Sequence, residues 1–86
     1  MCPERSFPLL RLRVVADADP NALSLVIQRF QNLTVVPRRI SAEFATNDTL
    51  HIEVDILGLT EEQLSLVAGK ISEAVSIYYV HWHRLA

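Results

Sequence analysis

The residues of this chain best equipped for chemistry are His51, His81 and His83, the acids Asp17 and Asp19 in front of Pro20, and the single Cys2. Zinc needs three or four ligands converging at about 2 Å. His81 and His83 stand two apart in "SIYYVHWHR", a spacing that puts both on one face of a β-strand. His51 takes the same outer face of another strand, "TLHIEVDIL". The strand carrying Arg11 and Arg13 is expected between them, and neighbouring strands lie about 4.8 Å apart. The histidines are then separated by two strand spacings with two cations in the gap, so no metal site is expected. That face reads instead as Arg11 and Arg13 paired across strands with Glu53 and Asp55. One cysteine can make neither an intramolecular disulfide nor a cysteine-rich metal site. The serines have no convincing His/Asp partner, and Gly58 and Gly69 are too few for a phosphate loop. No catalytic residue and no bound cofactor are expected.

One stretch remains, "DADPNALSLVIQRF" (Asp17 to Phe30). Asp19 is placed to cap a helix and Pro20 to occupy its first position, where the missing N–H costs nothing. A helix N-terminus also presents free N–H groups and a partial positive charge, so it can take a carboxylate. The turn therefore reads first as a cap. The alternative is a cap that also seats a small anionic ligand.

The elements that position these residues follow from hydrophobic period. "LLRLRVVA" (Leu9 to Ala16) alternates and reads as a strand, with Leu10, Leu12 and Val14 on one face. Leu23, Val26, Ile27, Phe30 and Leu33 form one stripe of a helix. "VVPRRISAEFA" (Val35 to Ala45) reads as a second strand at a sheet edge, because Pro37 cannot donate to a ladder. It turns through "TND" into a third strand, Thr49 to Leu57. "GLTEEQLSLVAGKISEAV" reads as a second helix with Thr60 and Gln63 as a capping box and Leu64, Val67, Ala68, Ile71 and Val75 as its buried stripe. Ser76 to Arg84 is a fourth strand, with Tyr78, Val80 and Trp82 facing one way and Tyr79, His81 and His83 the other. Phe44, Tyr78 and Trp82 are expected in the core or an interface, and Tyr79 on the solvent face.

The order βαββαβ with one apolar face per element points to an α+β, ferredoxin-like sandwich: two helices on one face of a four-stranded antiparallel sheet. Right-handed crossovers give strand order 4-1-3-2. A single domain spanning 1–86 is expected, with its ordered core at about 8–84. The formal net charge is −2 and the basic residues are scattered, so no nucleic-acid footprint exists. No run approaches the roughly 18 apolar residues of a membrane span. The N-terminus carries charges where a signal peptide needs its apolar region, so a cytoplasmic protein is expected. A domain this small that is 50% hydrophobic is expected to associate, and the exposed edge of strand two invites a second copy.

The order and spacing of "NALSLVIQRFQNLTVVPRRISAE", with Ala22, Leu23, Ser24, Val26, Ile27 and Phe30 as the matching core, resemble the ACT domain family. The later "ISEAVSIYYVHW" adds to the likeness. Within the family the chain is most similar to the small regulatory subunit of acetolactate (acetohydroxyacid) synthase, in its short, valine-insensitive form. Other families of this topology fit less well. "DADPN" lacks the arginine and glycines of acylphosphatases and the paired cysteines of metallochaperones. The outer strand faces lack the stacking aromatics of RNA-binding modules. The resemblance implies a non-catalytic subunit that forms a homodimer and activates the large catalytic subunit, in branched-chain amino-acid biosynthesis. Cofactors would belong to that large subunit. It also implies an effector site at Asp17, Ala18, Asp19, Asn21, Ala22 and Val36. There the valine-sensitive members carry a loop Asn, a Gly and an Asn opening strand two; here those three positions are Ala18, Asn21 and Val36. An amino acid bound there would place its carboxylate on the N–H groups of Asn21 and Ala22 and its ammonium on Asp17 or Asp19. A free-standing amino-acid-sensing dimer and a plain dimerisation module are the alternative readings.

Overall fold

A computed structural model describes residues 7–46 and 48–86; the readings that involve Cys2 and Asn47 lie outside them. The elements are β1 (Leu9–Asp17), α1 (Pro20–Asn32), β2 (Arg39–Phe44), β3 (Thr49–Leu57), α2 (Glu61–Ser72) and β4 (Ile77–Arg84). The sheet is antiparallel in the order β2-β3-β1-β4, the expected 4-1-3-2 read from the other side.

β1 and β3 pair over their whole length, from Leu9 opposite Leu57 to Asp17 opposite Thr49. Because side chains alternate, this register puts Leu10, Leu12, Val14 and Ala16 beside Ile56, Val54 and Ile52 under the helices, all buried. From above, α1 contributes Ala22, Val26 and Phe30, and α2 contributes Leu64, Val67 and Ile71. The capping box of α2 forms in both directions: the Gln63 N–H donates to Thr60 Oγ1 (3.1 Å), and the Thr60 N–H donates to Gln63 Oε1 (2.9 Å). Gly58, just after β3, has φ +122°, a backbone that side-chain-bearing residues rarely adopt.

The structure corrects several local expectations. β2 begins at Arg39 rather than Val35, since the chain around Pro37 forms no ladder and pairing starts only once the Arg38 N–H reaches Asp55 O (2.7 Å). The buried stripe of α1 is rotated toward Ala22, leaving Ile27 and Leu33 exposed. α2 ends at Ser72, so Val75 lies beyond the helix and is 97% exposed. Phe44 is 71% exposed, because neither helix reaches over β2; Ile40 and Ala42, on the same side, are exposed with it. Trp82 and Val80 do pack against the core, but Tyr78 does not. The β1–β4 register shifts between Val15 and Ala16, with Tyr79 opposite Val15 and Ile77 opposite Ala16. That bulge inserts Tyr78 as an extra residue and gives its expected core place to Ile77.

Phe30→Ala should destabilise the fold by about 3–5 kcal/mol, whereas Val75→Ala should stay within about 0.5 kcal/mol of the parent. Denaturant unfolding of both variants checks the assignment of the core.

Candidate functional site

The turn between β1 and α1 is held from three sides. The Asp17 N–H donates to Ser76 O (2.8 Å), the Ala18 N–H to Asp48 O (3.0 Å) and the Asp19 N–H to Asp17 O (2.7 Å). Asp19 is the N-cap and Pro20 opens the helix, as the sequence predicts. The Asn21 N–H donates to Asp19 Oδ1 (3.0 Å) and the Ala22 N–H to Asp19 O (2.9 Å). Both N–H groups that could take a ligand's carboxylate are therefore engaged by Asp19 itself. The Asp17 carboxylate accepts a hydrogen bond from the Tyr78 hydroxyl. That bond to the carboxylate, helped by the negative charge of Asp17 and Asp48, raises the Tyr78 hydroxyl's pKa above its ordinary value.

Of the six residues the resemblance singles out, Asp17, Ala18, Asp19 and Asn21 sit together in this turn. Ala22 is in the turn's helix but fully buried, so only its backbone could serve a ligand. Val36 is elsewhere. It follows the C-terminal end of α1, and a helix of that length puts it about 20 Å from the turn. It is 83% exposed. Tyr78 is the participant that sequence reasoning misses. Its alternation in "IYYVHWHR" assigns it to the core face, and a bulge leaves no mark in that pattern.

The opposite, uncovered face of the sheet carries the ion pairs expected of it and one more arginine. Arg11 binds Asp55 with two bonds, Nε to Oδ1 (2.7 Å) and Nη2 to Oδ2 (3.0 Å). Arg13 Nε and Arg39 Nη1 each reach Glu53 at 3.1 Å. Arg39 also lies 3.5 Å from Asp55. The bidentate bond from Arg11 holds the Asp55 carboxyl below the usual carboxylate range; the bond from Arg39 does the same to Glu53. On β4 the Tyr79, His81 and His83 rings stack in a row, with centroids 6.2 and 5.7 Å apart. His51 is two strands away across β1, as expected. Among the described residues no group of three or more His, Cys, Asp or Glu is placed to hold a metal ion.

Against known proteins, residues 5–86 match the model of an ACT-like domain. This chain belongs to the ACT-like domain family. It is an ACT-type regulatory domain, a class of non-catalytic module. No curated protein matches it in sequence. Among solved structures it is similar to the C-terminal domain of the MgtC protein from Mycobacterium tuberculosis, at 20% identity and a TM-score of 0.76, covering 96% of this chain and 93% of that one. The ACT domain of GTP pyrophosphokinase from Chlorobium tepidum aligns with a TM-score of 0.76 at 14% identity, over 92% of this chain and 100% of that one. A homoserine dehydrogenase from Thiobacillus denitrificans contains the same fold, with a TM-score of 0.73, 16% identity, 92% of this chain covered and 17% of the enzyme. These likenesses are of fold. Among the described residues no helix is long and apolar enough to cross a membrane.

The ion pairs of the ACT-like sheet carry a pH signature. Carboxyls with lowered folded-state pKa values stabilise the fold above their unfolded values, near pH 4, and lose that contribution as pH falls through the folded values. Asp55→Asn should cost on the order of 1–3 kcal/mol at neutral pH. The difference from the parent should shrink toward pH 2. Urea unfolding at pH 7, 4 and 2 measures it; a constant difference would contradict the role given to this pair.

Proposed function

We propose that the chain is a regulatory subunit that associates with and activates the large catalytic subunit of acetolactate synthase, in the cytoplasm, as part of branched-chain amino-acid biosynthesis. It contributes no catalytic group and no cofactor. The observation that carries this reading is the self-satisfied first turn. Asp19 occupies the N–H groups of Asn21 and Ala22, and Tyr78 occupies Asp17. A ligand carboxylate entering there would displace a cap worth about 0.5–2 kcal/mol and meet two like charges. Such a turn suits the valine-insensitive form that the sequence resembles. The action on the partner is conformational: docking shifts the large subunit toward its active state in proportion to the chain's preference for that state.

We take the chain to act as a homodimer. Ile40, Phe44 and Ile27 are exposed apolar residues, and β2 has an unpaired edge. Edge pairing would extend the sheet across two copies. The sensor reading draws on the same geometry. Antiparallel pairing of two β2 strands would carry the partner's Val36 toward the first turn, completing a site that one chain leaves in two pieces. A plain dimerisation module is the remaining alternative.

Adding the purified chain to the co-encoded large subunit should raise acetolactate formation, and omitting it should return the basal rate. No change with any co-encoded large subunit would overturn the assignment. Melting the chain against each of the twenty amino acids separates the sensor reading, which requires a saturable rise in Tm for one of them; the cap reading expects none.

The dimer is checked separately by solution mass. Phe44→Asp places a charge on the exposed apolar side of β2, and Ala42→Pro removes a donor from its open edge, since the β2–β3 register turns the Ala42 N–H away from β3. Both should give monomers by light scattering. Unchanged masses would rule out pairing through β2.

A further inference from the structure

We propose that the uncovered face of the sheet is a docking surface for a carboxylate-bearing segment of a partner protein. The helices cover only one side of the sheet. On the other side a shallow trough of about 550 Å³ crosses the strands, lined by Arg13, Arg39, Ser41, His51, Tyr79 and His81 with Glu43 and Glu53 at its acidic side. Its hydrogen-bonding capacity is lopsided. Three guanidinium groups, those of Arg11, Arg13 and Arg39, share the two carboxylates of Glu53 and Asp55. Asp55 is only 7% exposed, and both of its oxygens are taken by Arg11. Glu53 has one oxygen on Arg13 and the other on Arg39.

A surplus of donors is left. A guanidinium carries five N–H donors. Among the described residues Arg13 is bonded only through Nε, and Arg39 only through Nη1. The Ser41 and Tyr79 hydroxyls and two imidazoles add to them, and Glu43 is the only acid of the trough that no guanidinium holds. The group that best satisfies free, forked N–H donors is a carboxylate, in bidentate geometry. A phosphate backbone is a poorer fit. It carries a charge every few ångströms and would run over Glu43, Glu53 and Asp55, on a chain of net charge −2. One or two carboxylates on an otherwise neutral protein segment avoid that repulsion. The inference does not rest on the identity of the enzyme partner proposed above, and its test uses no enzyme.

The probe is a fluorescein-labelled peptide of Ser and Gly that carries two Glu residues, titrated with the intact chain and followed by anisotropy. Saturable binding that weakens with added salt is expected, with none for the same peptide bearing Gln in place of Glu. Arg13→Gln should weaken binding roughly tenfold, the loss of one charge-assisted pair. Its exposed pair with Glu53 contributes little to stability, so its melting temperature should match the parent's. Should that melt nevertheless fall, His81→Phe, which removes a donor but keeps a ring in the Tyr79–His83 stack and breaks no ion pair, serves as the deciding variant. Arg84→Gln, on the helix side where Arg84 meets Glu61, should bind like the parent. Absence of binding, equal binding of the Gln peptide, full affinity in the deciding variant, or tighter binding of an oligothymidylate of similar length would each overturn the proposal.

Discussion

The pairing of β1 with β3 is the constraint on which the rest of the molecule depends. Nine consecutive pairs lock the two strands together. A slip of one residue would exchange the two faces entirely. In the observed register the leucines, valines and isoleucines all lie under the helices, while Arg11 meets Asp55 and Arg13 meets Glu53 on the far side. The apolar and the ionic patterns thus specify the same register twice. A slip would bury at least two charges without partners, a far larger penalty than any single contact in the core supplies.

The two faces take different solutions to the same problem. Under the helices, burial of apolar area stabilises the sheet in the ordinary way. On the uncovered side there is no second layer, and Asp55 is nevertheless almost buried, enclosed by the arginine stems beside it. Long side chains can shield a polar centre in this manner. The arrangement leaves a face already desolvated in its middle and rich in donors at its margins.

The first turn shows how a helix N-terminus can be closed from within. Asp19 serves its own helix, the carbonyls of Ser76 and Asp48 take the N–H groups that precede it, and Tyr78 reaches over to Asp17. Tyr78 can do so only because the bulge in β4 turns it out of the core. A local irregularity on the edge strand therefore sets the state of a turn that lies sixty residues earlier in the chain. Where related ACT domains differ in their response to small molecules, a clasp of this kind is one physical reason to look for.

Much of the protein was legible from residue order alone. Period-two alternation in β1 and β3 and helical period in α1 and α2 come from local geometry. So do the cap at Asp19 and the box at Thr60 and Gln63, since their partners lie within a few residues. The strand order followed from the handedness of the crossovers, and the cross-strand ion pairs followed from that order. What required the tertiary structure was every property set by distant neighbours. Val35 could not be excluded from β2 by its own type, because the ladder it fails to join belongs to β3. Phe44 and Ile27 look like core residues and are exposed, because burial depends on how far a helix overhangs the sheet. Arg39 became the third member of the ion network only through the β2–β3 register, and Tyr78 left the core through a bulge. Sequence period records which way a side chain points along its own element; what waits on that side is decided by elements far away in the chain.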